Sequence, residues 1–195
     1  GHLKGVETVK KIVQASIEFQ IPIITFYVFS SENWKRPKNE KLYLFKLIKI
    51  YFSREIKNLI KQGIKINILG ELNKFPLDLK SILKKTTQLT NKNKKIIVNL
   101  AINYGAQNEI IQAFKKTRNN LSIKNFEKQL YTKNMPNPDI LIRTGGYRRL
   151  SNFLLWQLAY TELFFLKKLW PDFSSIDLLR IINQFKNIKR NFGKV

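Results

Sequence analysis

Cysteine is absent from this chain, histidine occurs once, and only 13 of its 195 residues are acidic. Without cysteine there can be no disulfide, thiolate metal site or cysteine nucleophile, and a reducing compartment is compatible with the composition. A lone His2 without partners reads as a packing residue. No stretch approaches the roughly 20 uninterrupted apolar residues that a membrane-spanning helix needs, so a soluble, cytoplasmic protein is expected. Walker loops, GxGxxG turns and nucleophile elbows are missing as well. The chain opens at Gly1 with no initiator Met, signal region or transit segment, and reads as an excised or truncated sequence.

What is present is enough for a core. Hydrophobic residues make up 44% of the chain, with 14 Phe, 7 Tyr and 3 Trp, which suits one globular domain over residues 1–195. The formal charge of +23 would ordinarily suggest nucleic acid or an anionic surface. Lysine outnumbers arginine 28 to 8, however, and asparagine reaches 19, as AT-rich codons produce without selection for a ligand. The cations are scattered and form no recognition motif, so no nucleic-acid partner is expected. A diphosphate substrate would still benefit from the field.

Apolar spacings of three and four predict helices over Val6–Phe19, Leu42–Ile60, Asp78–Thr90, Glu109–Arg118, Ile123–Tyr131, Ser151–Tyr160 and Ile176–Arg190. Short β-branched or aromatic runs predict strands at Ile21–Phe29, Ile64–Leu69, Ile96–Ile102, Asp139–Ile142 and Leu163–Leu166. Gly63 is placed to cap the second helix. Strands separated by helices imply right-handed crossovers, hence an α/β fold with a mostly parallel central sheet flanked by helices. Ligands of such sheets collect at the carboxyl ends of the strands. Three polar segments begin there and should converge: Ser30–Arg36, Asn103–Gly105 and Arg143–Ser151.

The third segment, Arg143-Thr144-Gly145-Gly146-Tyr147-Arg148-Arg149-Leu150-Ser151-Asn152, suits a phosphate. Arginines bind phosphate oxygens bidentately, glycines admit the backbone, and Ser151 at a helix start adds a hydroxyl near a positive dipole end. A solvated basic turn capped by Ser151 is the alternative. The first segment, Phe29-Ser30-Ser31-Glu32-Asn33-Trp34-Lys35-Arg36-Pro37, sets aromatics in a polar loop, which invites binding; Trp34 could equally plug the sheet edge. Among the scarce carboxylates, Asp139, Glu162 and Asp172 are candidate Mg²⁺ ligands, or else caps and salt-bridge partners.

These segments resemble the cis-prenyltransferase family, of the undecaprenyl diphosphate synthase type. The loop from Phe29 to Pro37 is close to its FS[ST]ENW.RP signature, with Glu40 in place. Asn103-Tyr104-Gly105 begins its NYGGR element. Asp139–Gly146 and Arg149–Gln157 are similar to DLLIRTGGE.RISNFLLWQ, while Tyr160–Glu162 and Leu169–Phe173 match its closing region. Gly1-His2 resembles the GH of its first region.

The resemblance implies addition of isopentenyl diphosphate to an allylic diphosphate such as farnesyl diphosphate, giving a long polyprenyl diphosphate, with Mg²⁺ as cofactor. Arg143, Arg149 and Ser151 would hold the isopentenyl diphosphate. His2 would sit near the allylic diphosphate, and Glu162 would help place Mg²⁺ from the neighbouring subunit of a homodimer. Ser30, Asn33, Trp34, Arg36 and Glu40 would form a mobile loop over the substrates, Asn33 acting in catalysis. An apolar tunnel between sheet and helices would take the growing chain, with peripheral membrane contact for product release. The family's MDGNGRWA strand, with its Asp, has no counterpart here, so these 195 residues alone are expected to be inactive. Ala106-Gln107 replaces a Gly-Arg, and Tyr147 a Glu. A non-catalytic partner subunit and a basic nucleic-acid-binding domain are the alternative readings.

Overall fold

The computed structural model describes residues 2–191, the His2 side chain excepted. Helix α1 (His2–Glu18) leads to strand β1 (Ile23–Ser30), a short 3-10 turn (Ser31–Lys35) and the long helix α2 (Lys38–Lys61). Strand β2 (Ile64–Leu69), helix α3 (Leu77–Thr90) and strand β3 (Ile96–Tyr104) follow. Helices α4 (Ala106–Thr117) and α5 (Ile123–Glu127), strands β4 (Ile140–Arg143) and β5 (Glu162–Phe165), and helix α6 (Ser175–Lys186) complete the order. Gly63 ends α2 as its sequence position predicts: it takes φ 70°, and its N–H returns to Ile60 O at 3.0 Å.

All strand pairs are parallel. One sheet runs β1-β3-β2, the other β4-β5. The expected α/β class and parallel pairing hold, with the strands divided between two hydrogen-bonded sheets. Register explains a polar row across the first sheet. Thr25, Asn99 and Asn67 are matched neighbours, and Asn99 Nδ2 donates to Thr25 Oγ1 at 3.1 Å while Asn67 Nδ2 donates to Asn99 Oδ1 at 3.2 Å. Side chains alternate along a strand, so the opposite face carries Ile66 and Val98 into the main core. There they meet Ile12 of α1, Phe45 and Phe52 of α2, Leu79 and Leu83 of α3 and Ile181 of α6, a burial that supplies most of the folding drive. The apolar side chains Ile140 and Ile142 of β4 and Phe164 of β5 pack on the same core, tying the second sheet to the first.

Several expected helices differ: α1 and α2 begin at His2 and Lys38 instead of Val6 and Leu42, and α6 ends at Lys186 instead of Arg190. The one predicted to Tyr131 stops at Glu127, and residues 151–160, predicted as a helix, form consecutive turns with a single Leu158 N to Leu154 O bond of helical spacing. Ser151, Asn152 and Leu154 lie at φ 50°, 62° and 44°, left-handed values that no α-helix accommodates. Tertiary bonds, described below, overrule the apolar spacing.

Helix α6 opens on a capping box. Ser174 Oγ accepts from Asp177 N, and the Asp177 carboxylate accepts from Ser174 N and from Lys168 Nζ at 2.7 Å. The hydrogen bond from Lys168, then that from the Ser174 side chain, lowers the buried Asp177 carboxyl to about 2, against an opposing push from burial. A depressed carboxyl pKa contributes stability above the unfolded value and loses it as pH falls through the folded one. Asp177→Ala is therefore expected to destabilise the protein by about 1–2 kcal/mol at neutral pH. Chemical denaturation at several pH values should find that difference constant down to about pH 4 and shrinking toward pH 2.

Candidate active site

The carboxyl ends of β1, β3 and β4 deliver the three polar segments to one place, as the order of elements requires. Trp34 Nε1, in the turn after β1, donates to Asn103 Oδ1 near the end of β3 at 2.7 Å. Asn152, in the turn after β4, donates from Nδ2 to Glu32 Oε1 at 2.7 Å and accepts at Oδ1 from Gln107 N at 2.8 Å. Gly105 lies where these segments touch. A Cβ there would collide with Ser31 Oγ and stand 2.8 Å from Asn152 Nδ2, so the close approach needs glycine.

The arginine turn is built by Gly145 and Gly146, at φ 91° and 82°, whose N–H groups reach Lys168 O and Leu166 O at 2.8 Å. Arg143 Nη1 donates to Ser151 Oγ at 2.7 Å and also to Arg149 O. The Tyr147 ring lies 4.3 Å from the Arg149 guanidinium and 5.9 Å from that of Arg143. Burial, and then the charge of Arg149, lower the Arg143 guanidinium from its ordinary value. No carboxylate among the described residues pairs with either arginine. Two adjacent cations without a counter-ion, one of them oriented by a hydroxyl, form a receptor for a polyanion. The dipole contribution expected of a helix beginning at Ser151 is absent, because that helix does not form.

In the loop after β1, Asn33 Oδ1 accepts from Ser30 N at 3.1 Å, which leaves its amide hydrogens to serve a ligand. Trp34 does plug the sheet edge: its ring sits 5.2 Å from Phe29, 5.8 Å from Phe45 and 5.1 Å from Phe75. Arg36 pairs with Glu40 at 2.8 Å on the surface. Substrate contact by His2 concerns a side chain outside the described residues.

The carboxylates considered for a metal are dispersed. Asp172 pairs with Lys4 at 2.7 Å and Asp139 with Arg190 at 2.6 Å. Glu162 stands 4.0 Å from Arg190 Nε, at the start of β5, where its register partner is Ile140. Arg143 pairs with Phe165, three residues further along, so roughly 10 Å of strand separates Glu162 from the arginine turn. Among the described residues no group of three or more His, Asp or Glu could hold a metal ion. The described residues therefore form no protein-only cage for Mg²⁺, and no step is assigned to the ion.

A cavity of about 680 Å³ opens between α1, α2 and the sheet. Its apolar wall includes Val13, Phe52, Leu59, Ile66, Val98 and Leu100. The Lys10–Glu55 ion pair, at 2.5 Å, stands at its lining between the two helices.

Comparison with known proteins decides the family. The family model described as "Putative undecaprenyl diphosphate synthase" matches residues 1–193. The chain belongs to this family. An isoprenyl transferase of Rickettsia felis is 41% identical over 198 residues, covering all of this chain and 84% of its relative. A crystal structure from Campylobacter jejuni, described as a probable undecaprenyl diphosphate synthase, superposes with TM-score 0.89 at 33% identity, covering 100% of this chain and 94% of that one. Lavandulyl diphosphate synthase from Lavandula x intermedia, in complex with dimethylallyl diphosphate, gives 0.95 at 31%, covering 100% and 88%. The expected activity class, a cis-prenyltransferase, agrees with these relatives, and neither the partner subunit nor the nucleic-acid-binding domain is favoured. Among the described residues no helix is long and apolar enough to cross a membrane.

Sequence reasoning passes over Glu32, Asn103 and Asn152, all within the quoted motifs but without a role. Glu32 carries a signal: a scarce carboxylate beside the candidate Asn33. Asn152 carries none, since its partners are remote in sequence.

Proposed function

We propose that this prenyltransferase condenses isopentenyl diphosphate with an allylic diphosphate at the carboxyl edge of the sheet and extends the product into the cavity. The observation that carries this reading is the Arg143–Arg149 pair, uncompensated by any carboxylate among the described residues and tied to Ser151; the cavity between α1, α2 and the sheet supplies an apolar wall for the product. In the reaction C4 of isopentenyl diphosphate bonds to C1 of the allylic partner, the C1–O bond breaks, diphosphate leaves and C2 loses a proton. Arg143, Arg149 and Ser151 hold the isopentenyl diphosphate, and the loop from Ser30 to Arg36 orients the reacting ends and excludes water, Asn33 presenting its amide hydrogens. Positioning and charge stabilisation are the expected sources of rate. The lavandulyl diphosphate synthase relative, with its bound dimethylallyl diphosphate, supports an allylic diphosphate as the second substrate.

Mg²⁺ belongs to this reading as an ion carried in on diphosphate oxygens, which with water supply most of its ligands. The test is transfer of labelled isopentenyl diphosphate onto farnesyl diphosphate in Mg²⁺, with loss of product after EDTA and recovery on adding Mg²⁺ back. No chain elongation under any primer, by this chain or by one extended upstream of Gly1, would reject the function. Cytoplasmic location is part of the same reading.

A homodimer is proposed through residues 160–166 and the last helix, because Tyr160, Leu163, Ile176 and Leu179 all expose apolar surface. Glu162 lies within that stretch. Light scattering at tens of micromolar should give twice the 23.1 kDa chain mass; a strict monomer would reject the interface.

A further inference from the structure

We propose that Asn152 is a positioning residue that locks the loop after β1 to the arginine turn through Glu32, fixing Asn33 and Arg143 relative to one another. The inference rests on the reading of the arginine turn as a diphosphate site and assigns the part that makes the two loops one unit.

Asn152 serves three partners at once. Its backbone oxygen accepts from Ala106 N at 2.8 Å, its Oδ1 accepts from Gln107 N at 2.8 Å, and its Nδ2 donates to Glu32 Oε1 at 2.7 Å. The first two are the opening N–H groups of α4, for which the local cap Gly105 offers no side chain. Asn152 is thus a remote N-cap, and the need of those donors for acceptors holds it in place. Its φ of 62° is one that asparagine adopts more readily than most side chains. Ser151 next to it receives the Arg143 guanidinium. One continuous chain of contacts then runs from Arg143 through Ser151 and Asn152 to Glu32, whose neighbour is Asn33.

Glu32 suits the acceptor role. Burial pushes its carboxyl up, but hydrogen bonds from Asn152, from its own backbone and from Ser30 and Ser31 outweigh this and hold it below its ordinary value. The bond it accepts is therefore charge-assisted. Gly105 permits the contact, since any side chain there would separate Ser31 from Asn152. Tyr27 and Trp34 then fasten the loop from behind, through Tyr27 Oη to Tyr104 O at 3.1 Å and Trp34 Nε1 to Asn103 Oδ1 at 2.7 Å.

The experiment compares Asn152→Ala, Glu32→Ala, the double variant and Glu32→Gln in steady-state transfer and in ¹⁵N–¹H spectra of the three tryptophan indoles. Each alanine variant should lower kcat about ten- to a hundredfold, the scale of misplacement near reacting groups, with a smaller change in KM for isopentenyl diphosphate. The double variant should be no worse than either single one, because both remove one interaction. Glu32→Gln keeps an oxygen for Asn152 Nδ2 and should recover most of the loss. The Trp34 indole signal should shift in both alanine variants while those of Trp156 and Trp170 stay. Losses that multiply in the double variant, or kcat and the Trp34 signal both unchanged, would overturn the proposal. If neither this chain nor one extended upstream of Gly1 transfers a prenyl group, the function fails and the Trp34 signal alone decides the lock: a shift in both variants supports it and no shift rejects it. Should Asn152→Ala move all three indoles through loss of fold, Glu32→Ala, on the exposed loop, becomes the deciding variant by the same two readouts.

Discussion

Replacing Arg143 with alanine is expected to weaken isopentenyl diphosphate binding by about 1.5–3 kcal/mol, the range of a charge-assisted hydrogen bond, with a similar loss for Arg149→Ala. The two side chains face no carboxylate among the described residues, so a bound diphosphate meets no internal competitor for them. Arg143 has the second task of holding Ser151 Oγ at 2.7 Å, and its loss should therefore also loosen the hydroxyl. Arg149 instead rests on the Tyr147 ring at 4.3 Å, a contact that fixes the guanidinium without neutralising it. Lysine at either position should restore charge but not the planar fork, and recover affinity only in part. Titration calorimetry with isopentenyl diphosphate measures each change. Affinity equal to the parent protein in both alanine variants would remove the diphosphate from this turn.

The largest expected stability loss lies under the site, at Glu109. Its side chain is 3% exposed and meets no cation among the described residues, yet it collects three donors. Tyr104 Oη and Gln157 Nε2 donate to Oε2, the latter at 3.1 Å, and Tyr131 N donates to Oε1 at 2.7 Å. Burial, together with the Glu109 charge, drives the Tyr104 hydroxyl well above its ordinary pKa, so it stays a donor throughout the working range. Glu109→Ala strands all three donors in the interior and leaves a cavity, for an expected cost of about 3–5 kcal/mol. For a chain of this size that is a fall of roughly 10 °C in Tm. Glu109→Gln, which replaces an acceptor oxygen by a donor facing other donors, should lie between the two. Thermal unfolding checks the series, and a loss below about 1 kcal/mol for the alanine variant would show that the network is dispensable.

The sequence by itself determined most of the frame. Strand β2 begins and ends at the residues its sequence pattern predicts, Ile64 and Leu69, and the other strands lie within two residues of theirs, because β-branched runs between turn residues admit no other periodicity. Alternation of strand and helix then forced parallel pairing, and with it the meeting of Ser30, Asn103 and Arg143 at one edge. The apolar tunnel between sheet and helices is implied by the family resemblance, not by the stripes of α1 and α2, and a cavity of about 680 Å³ opens between those helices and the sheet.

Tertiary structure alone decided the rest. Residues 151–160 carry a helical apolar spacing, but their local preference is weak beside two α4 amide groups that need acceptors, and Asn152 leaves the helical region to supply them. Gln157 is drawn into the interior by Glu109, 48 positions away, and such a partner leaves no trace in a local pattern. Glu162 shows the same limit from the other side. Its scarcity marked it for a metal, while parallel register sets it at the opposite end of the short sheet from Arg143 and beside Arg190. Spacing along a chain reports which face a side chain shares with its neighbours; which distant group it meets depends on how those faces pack.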